Sequence, residues 1–310
     1  MQASLDTWIL ERRPARNPVD PLRPYAYFAE EERSQTGEIV AVNTIFLTNQ
    51  ECPWRCLMCD LWKNTLTESV AAGAIPAQIE YALARLPASR HIKLYNSGSF
   101  FDPRAIPVDD YAAIAALLRP FEHVIVESHP ALIGERSLRF RDLLAGRLEV
   151  AMGLETVHPT VLPRLNKHMT LEQFREAAVF LKANQIDLRA FILVKPPFLT
   201  EDEALHWAQR SLDFAFECGA SAAALIPTRA GNGAMDALAL EGDFAPPSLA
   251  TLEASLEYGI GLGKGRVLAD LWDLRRFSQC DICYEAREAR LHRMNLGQII
   301  PESVQCGACT

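Results

Sequence analysis

From residue 38 onward the chain alternates short, β-branched apolar runs with longer stretches whose apolar residues recur at helical spacing. Six runs read as strands: 38–48 (EIVAVNTIFLT), 91–95 (HIKLY), 123–128 (HVIVES), 148–154 (LEVAMGL), 188–194 (LRAFILV) and 221–227 (SAAALIP). The run 266–272 (RVLADLW) is a candidate seventh. Between them, Pro76 opens a helical pattern through Ile79, Ala82, Leu83 and Leu86; Ile114, Leu117 and Leu118 mark another; Leu252, Leu256 and Ile260 a third. Thr170 with Gln173, and Thr200 with Glu203, are capping boxes that open two more helices.

Strands that alternate with helices predict a parallel sheet with right-handed crossovers, and six or more in succession predict a barrel or an open part-barrel. The expected class is α/β, a partial (β/α)6 TIM-type barrel over 38–272, with an N-terminal arm over 1–37 and a cysteine-rich extension over 273–310. The first 37 residues mix charge, proline and aromatics without a clear period, which predicts a loop-rich arm or a helix packed across the body. In such barrels the active site gathers on the loops after the strand C-terminal ends.

Composition adds limits. An apolar fraction of 49% and a charged fraction of 23% over 310 residues describe an ordinary soluble globular protein. No apolar run approaches the roughly 20 residues of a membrane span, and the opening MQASLDTWILERRPARNPVD lacks an apolar signal core, so the expectation is a cytoplasmic chain without membrane contact. A net charge of -8 disfavours nucleic acid as partner, since that affinity rests on Lys and Arg contacts, although a local basic patch is compatible with it.

The cysteines carry the sharpest signal. Seven of the eight fall in clusters at metal-ligand spacing; Cys218 stands alone in an apolar stretch and reads as a buried thiol. Cys52, Cys56 and Cys59 form C-x3-C-x2-C on the loop after the first predicted strand, with no further cysteine or histidine within thirty residues. A closed zinc site wants four ligands, whereas an iron–sulfur cube held by three thiolates keeps one iron free for a further ligand. The tail holds Cys280 and Cys283, then Cys306 and Cys309, two C-x2-C pairs separated by 22 residues. That spacing alone is the usual zinc signature; the position after the last strand, near the barrel mouth, favours a second 4Fe-4S cluster, with zinc the alternative. Arg287, Arg290 and Arg293 between the pairs are candidate anion contacts, or one solvated helix face. In the loop after the sixth strand, Arg229 and Asn232 are candidates to bind cofactor or substrate.

C-x3-C-x2-C on the loop after the first strand of a β/α barrel resembles the radical S-adenosylmethionine superfamily, over residues 38 to about 270. The resemblance implies a 4Fe-4S cluster on the three cysteines, S-adenosylmethionine chelated at its open iron, and reductive cleavage to a 5'-deoxyadenosyl radical that takes a hydrogen from the substrate. It also implies an external one-electron donor of the flavodoxin or ferredoxin type. Asn96, Ser97, Gly98 and Ser99 stand where the superfamily has a glycine-rich turn for the methionine end of the cofactor. Met58 replaces the aromatic residue often found near the adenine, with Trp54 and Trp62 as substitutes, and Glu155 in GLET is similar to a stretch near the ribose.

RLNKHMT (164–170), with Lys167 and His168, resembles a segment of tRNA methylthiotransferases and the Elongator catalytic subunit. ECPWRCLMCDLWK and NSGSFFDPRAIP are most similar to archaeosine-forming radical lyases. The expected reaction is bond cleavage or rearrangement on a small molecule, a nucleoside or nucleotide. Sulfur insertion from a second cluster and tRNA base modification are the enzymatic alternatives; a zinc-binding interaction protein is the non-enzymatic one. Lys195, and His129 and His158 after the third and fourth strands, complete the polar residues expected near the mouth.

Overall fold

The computed structural model describes residues 4–309. Eight strands form one curled sheet in chain order: β1 Ala26–Arg33, β2 Ile39–Phe46, β3 His91–Tyr95, β4 His123–Ser128, β5 Arg147–Glu155, β6 Asp187–Val194, β7 Ala222–Pro227 and β8 Arg266–Ala269. β2 to β8 are parallel, and β1 pairs antiparallel with β2. The helices are α1 Leu5–Glu11, α2 Ala74–Leu83, α3 Tyr111–Leu117, α4 Glu135–Leu143, α5 Val161–Arg164, α6 Leu171–Ala183, α7 Glu201–Glu217, α8 Ala234–Glu241, α9 Leu249–Gly261 and α10 Tyr284–Gly297. This is the expected partial barrel, with the seventh parallel strand present. No helix among the described residues is long and apolar enough to cross a membrane.

Some elements differ from the sequence reading. Residues 1–37 were expected to hold no strand, yet Ala26–Arg33 is a full edge strand. Its inward side chains are Phe28, Glu30 and Glu32, of which the two acids meet Lys93 and Arg189 inside the barrel, so the polar face is the buried one and the usual alternation is inverted. β8 ends at Ala269, and Trp272 lies outside the sheet with 65% of its surface exposed. α2 begins two residues before Pro76, which occupies the first turn where its missing N–H costs nothing, and ends before Leu86. At α6 both arms of the box form: Gln173 N donates to Thr170 Oγ1 (3.2 Å) and Thr170 N to Gln173 Oε1 (2.9 Å). At α7 the Glu203 carboxylate accepts from the Thr200 amide at 3.0 Å.

Two layers fill the barrel. At the strand N-terminal end, Lys93, Arg189 and Arg266 interleave with Glu30, Glu32 and Glu149: Lys93 Nζ is 2.6 Å from Glu32, Arg189 Nη2 is 2.6 Å from Glu32, and Arg266 Nη2 is 2.9 Å from Glu149. Three cations against three anions make a balanced plug that closes this end. Above it, Phe46 sits within 5.9 Å, ring centre to ring centre, of Tyr25, Phe28 and Tyr95, which leaves the C-terminal mouth as the open end.

β8 and β1 do not pair among the described residues. Arg266 reaches across to Arg33 O (3.1 Å), and α10 packs on both strands. The free edge of β8 is met by side-chain amides of α10 and its cap: Val267 N donates to Gln298 Oε1 (2.7 Å) and Ala269 N to Asn295 Oδ1 (2.8 Å), while both amide nitrogens return a bond to the same residues' carbonyls. An exposed strand edge is thereby satisfied without another strand.

Candidate active site

The cysteine loop follows β2 and is fixed from several directions. Glu51, just ahead of it, pairs with Arg13 (2.7 Å), Arg55 (3.1 Å) and Arg16, which ties the N-terminal segment to the loop. Leu57 N donates to Leu165 O (2.9 Å), and Asn166 Nδ2 to Arg55 O (2.8 Å). Trp54, between the first two cysteines, stacks on His129 with ring centres 3.7 Å apart and planes 14° apart. Cys52, Cys56 and Cys59 are free and half-buried, and burial pushes each thiol up to about 12. Thiolates there need a cation to form, as metal ligands do.

The turn after β3 lies against this loop. A Cβ on Gly98 would meet Cys52 Cβ at 3.2 Å, so glycine is what lets the backbone approach the first cysteine. The Glu127 carboxylate, from β4, lies beneath the turn and accepts from Asn96 N (2.5 Å) and, more weakly, from Gly98 N (3.4 Å). Burial raises Glu127 to about 7 against the opposing effect of those amides. Ser97 takes a positive φ of 55° and its hydroxyl meets Tyr25 Oη at 3.0 Å; Ser99 Oγ meets Ser128 Oγ at 2.8 Å. The carbonyls of Ser97 and Gly98 accept no hydrogen bond among the described residues.

On the opposite side, Glu155 ends β5 at a register shift, with φ 64°. Its buried carboxylate takes the half-buried Lys167 Nζ at 2.5 Å. A Cβ on Gly153 would collide with both charged tips, which explains the glycine of GLET. Burial works against the Lys167 charge, but Glu155 outweighs it and holds the ammonium's pKa above its ordinary value. His129 Nε2 donates to Lys167 O at 3.0 Å while its Nδ1 accepts from Ala131 N at 3.1 Å, and burial beside the Lys167 ammonium pulls the ring down to about 4, so the ring stacked on Trp54 is neutral.

The remaining sequence candidates are placed as follows. Met58 packs between the apolar groups around Ile9 and around Val161. Trp62 is buried under Arg13 rather than at the mouth. Asn232 gives its side chain to the cysteine loop, donating to Leu57 O (2.9 Å) and Cys59 O (3.1 Å) and accepting from Met235 N (2.7 Å). Arg229 pairs with Asp270 at 2.8 Å and spans the loops after β7 and β8. Lys195 pairs with Glu201, and His158 caps α5 through Val161 N. Arg287 and Arg290 face Glu253 and Glu257 of α9. Cys218 is buried in the main core. Sequence reasoning missed Glu127 and the Glu51 cluster; for Glu127 the available signal was a lone acid near the end of an apolar strand.

The tail cysteines also converge. Cys280, Cys283, Cys306 and Cys309 have all four sulfurs within 4.8 Å of one another, a group fit to hold a metal. The sulfurs of Cys52, Cys56 and Cys59 form no group that tight among the described residues. Three half-buried thiols on one loop suit a polynuclear cluster with one iron per thiolate.

Among solved structures, methylornithine synthase superposes over 84% of this chain and 73% of its own, with TM-score 0.52 and 15% identity. An Elp3 of Methanocaldococcus infernus does so over 71% and 58%, with TM-score 0.52 and 12% identity. The chain shares its fold with these two enzymes. No protein-family model matches it. An uncharacterized protein of Methanocaldococcus jannaschii is 28% identical over 76% of this chain and 68% of its own. The archaeosine synthase subunit beta of Methanosarcina acetivorans is 25% identical over 66% and 63%, and that of Thermococcus kodakarensis 24% over 51% of each. The chain thus spans roughly two thirds or less of these relatives' length.

Proposed function

We propose that the protein is a radical S-adenosylmethionine enzyme acting on a small molecule of the nucleoside or nucleotide class, by bond cleavage or rearrangement. The observation that carries this reading is the seating of the Gly98 turn directly against Cys52 at the open end of the barrel. Cys52, Cys56 and Cys59 would hold a 4Fe-4S cluster, which when bound supplies one electron to cleave the sulfonium of S-adenosylmethionine.

The chain's own residues then have distinct tasks. Glu127 holds the amides of Asn96 and Gly98 and so turns the Ser97 carbonyl, which shares its peptide with the Gly98 amide, away from the carboxylate as an acceptor for the methionine ammonium; the unpartnered Gly98 carbonyl is a second acceptor. Lys167 and Glu155 present a fixed ion pair beside the loop, for the carboxylate and ribose of the cofactor. Trp54 on neutral His129 offers an aromatic face, and Met58 an apolar one, near the adenine. Asn232 contributes by holding the loop, Arg229 by tying the last two strand loops together at the mouth. The archaeosine synthase relatives support a modified nucleobase as substrate and a partner subunit that acts with this chain.

The test is formation of 5'-deoxyadenosine by anaerobically reconstituted protein given dithionite and S-adenosylmethionine. The expected result is nucleoside formation that Cys56→Ala abolishes. Formation equal in that variant, or none in reconstituted wild type that holds its iron, would overturn the reading.

A further inference from the structure

The four tail thiols are arranged for one ion. Cys280 Sγ lies 4.0 Å from Cys306 Sγ, and Cys283 Sγ 3.6 Å from Cys309 Sγ, with all pairs inside 4.8 Å. A tetrahedral ion with metal–sulfur bonds of about 2.3 Å puts its thiolates about 3.8 Å apart. A 4Fe-4S cube places each thiolate on a different iron, at corners, and so separates them by roughly 6 Å. The observed separations match the first geometry and are too short for the second. They are also well beyond a disulfide bond of about 2.05 Å, so the thiols are free.

The surroundings point the same way. Cys309 N closes the second C-x2-C pair into a tight turn on Cys306 O at 3.1 Å, and Ser278 Oγ donates to Cys280 O at 2.9 Å ahead of the first pair. Arg287, four residues on from Cys283, pairs with Glu253 of α9 at 2.5 Å and fixes the start of α10 beside the four thiols. The segment after α10 has little else to hold it. Ile299 and Ile300 are exposed, and beyond Gln298 the segment is anchored by buried Arg290 of α10, which donates to Pro301 O (2.7 Å) and Glu302 O (2.9 Å).

We infer that Cys280, Cys283, Cys306 and Cys309 bind a single zinc ion, and that this ion staples the chain's last residues to the start of α10. This inference does not depend on the reaction assigned to the barrel. Among metals that take a tetrahedral four-thiolate site, zinc needs no redox partner and suits a site whose fourth ligand, Cys309, is exposed to solvent.

The test is metal content of the full chain purified anaerobically, as wild type and as the Cys52→Ala/Cys56→Ala/Cys59→Ala variant, with zinc-edge X-ray absorption on the wild type. The expected result is about one zinc per chain in both, about four irons in the wild type alone, and four sulfurs at about 2.3 Å from zinc. Cys306→Ala/Cys309→Ala should lose the zinc, keep the four irons, and release the tail to protease at least tenfold faster. About four irons with cluster absorption in the triple variant, a single iron in place of zinc, or no metal bound there would each overturn the inference. A reconstituted wild type that holds zinc but no iron would count against the proposed reaction only. Should the double variant be insoluble, cobalt exchanged into the wild type must show the visible bands of a tetrahedral tetrathiolate, and their absence is equally decisive.

Discussion

Gly98 lies against Cys52 so closely that a Cβ would stand 3.2 Å from the cysteine's own. The turn and the cysteine loop are therefore one rigid object, and crowding their contact perturbs whatever binds across it. Gly98→Ala is expected to weaken S-adenosylmethionine binding about tenfold, roughly 1.4 kcal/mol, with iron content unchanged. Equilibrium dialysis on reconstituted protein reads this directly; unchanged affinity would remove the turn from the cofactor site.

Lys167 is the partner that makes a buried Glu155 tolerable. Lys167→Met leaves that carboxylate without its cation, and the expected cost is about 3–5 kcal/mol in the unfolding free energy of the metal-free chain, read from denaturant curves. Adding Glu155→Gln should restore most of it. A Lys167→Met protein as stable as wild type would show that water reaches the pair.

Glu127 gives a pH signature. Its folded-state pKa of about 7 lies above the ordinary 4.5, so the folded chain holds the proton longer than the unfolded one. The contribution of Glu127 to stability is then full below about 4.5, declines by about 3 kcal/mol as pH rises toward about 7, and is flat beyond. Glu127→Gln should flatten the unfolding free energy across that window. A slope identical to wild type would mean the carboxylate is already charged.

At the barrel base the sign reverses. Burial alone would raise Glu149, but Arg189 and Arg266 override it and hold the acid at about 2. Its contribution is present above about 4.5 and lost as pH falls toward about 2. Glu149→Gln leaves two guanidiniums short of an anion and should cost about 3–5 kcal/mol near neutral pH, with a shallower acid limb in denaturation curves. A neutral effect would show the plug to be hydrated.

How much of this was legible in the sequence depends on which face of each element is apolar. β2 to β7 and the α6 box follow ordinary rules, because their outer faces bury Val, Ile and Leu beneath helices. β1 does not, since Glu30 and Glu32 are its inward residues and meet Lys93 and Arg189 from strands far along the chain. The same holds for the cysteines and their setting. Spacing along the chain exposes Cys52, Cys56 and Cys59, but Glu127 beneath the turn, Trp54 on His129 and the Glu51 cluster are made by contacts between segments with no local signal. Asn232 was legible as a polar residue after a strand, yet its partners, Leu57 O and Cys59 O, could only be seen folded.

A barrel closed by a backbone ladder has its girth set by strand number and shear. This one ends on two side-chain amides, Asn295 and Gln298, which stand in for the missing neighbour of Val267 and Ala269. Its bore is accordingly adjustable in steps of one side chain, with lengthening or shortening of those two residues letting the seam out or taking it in while every strand register stays as it is.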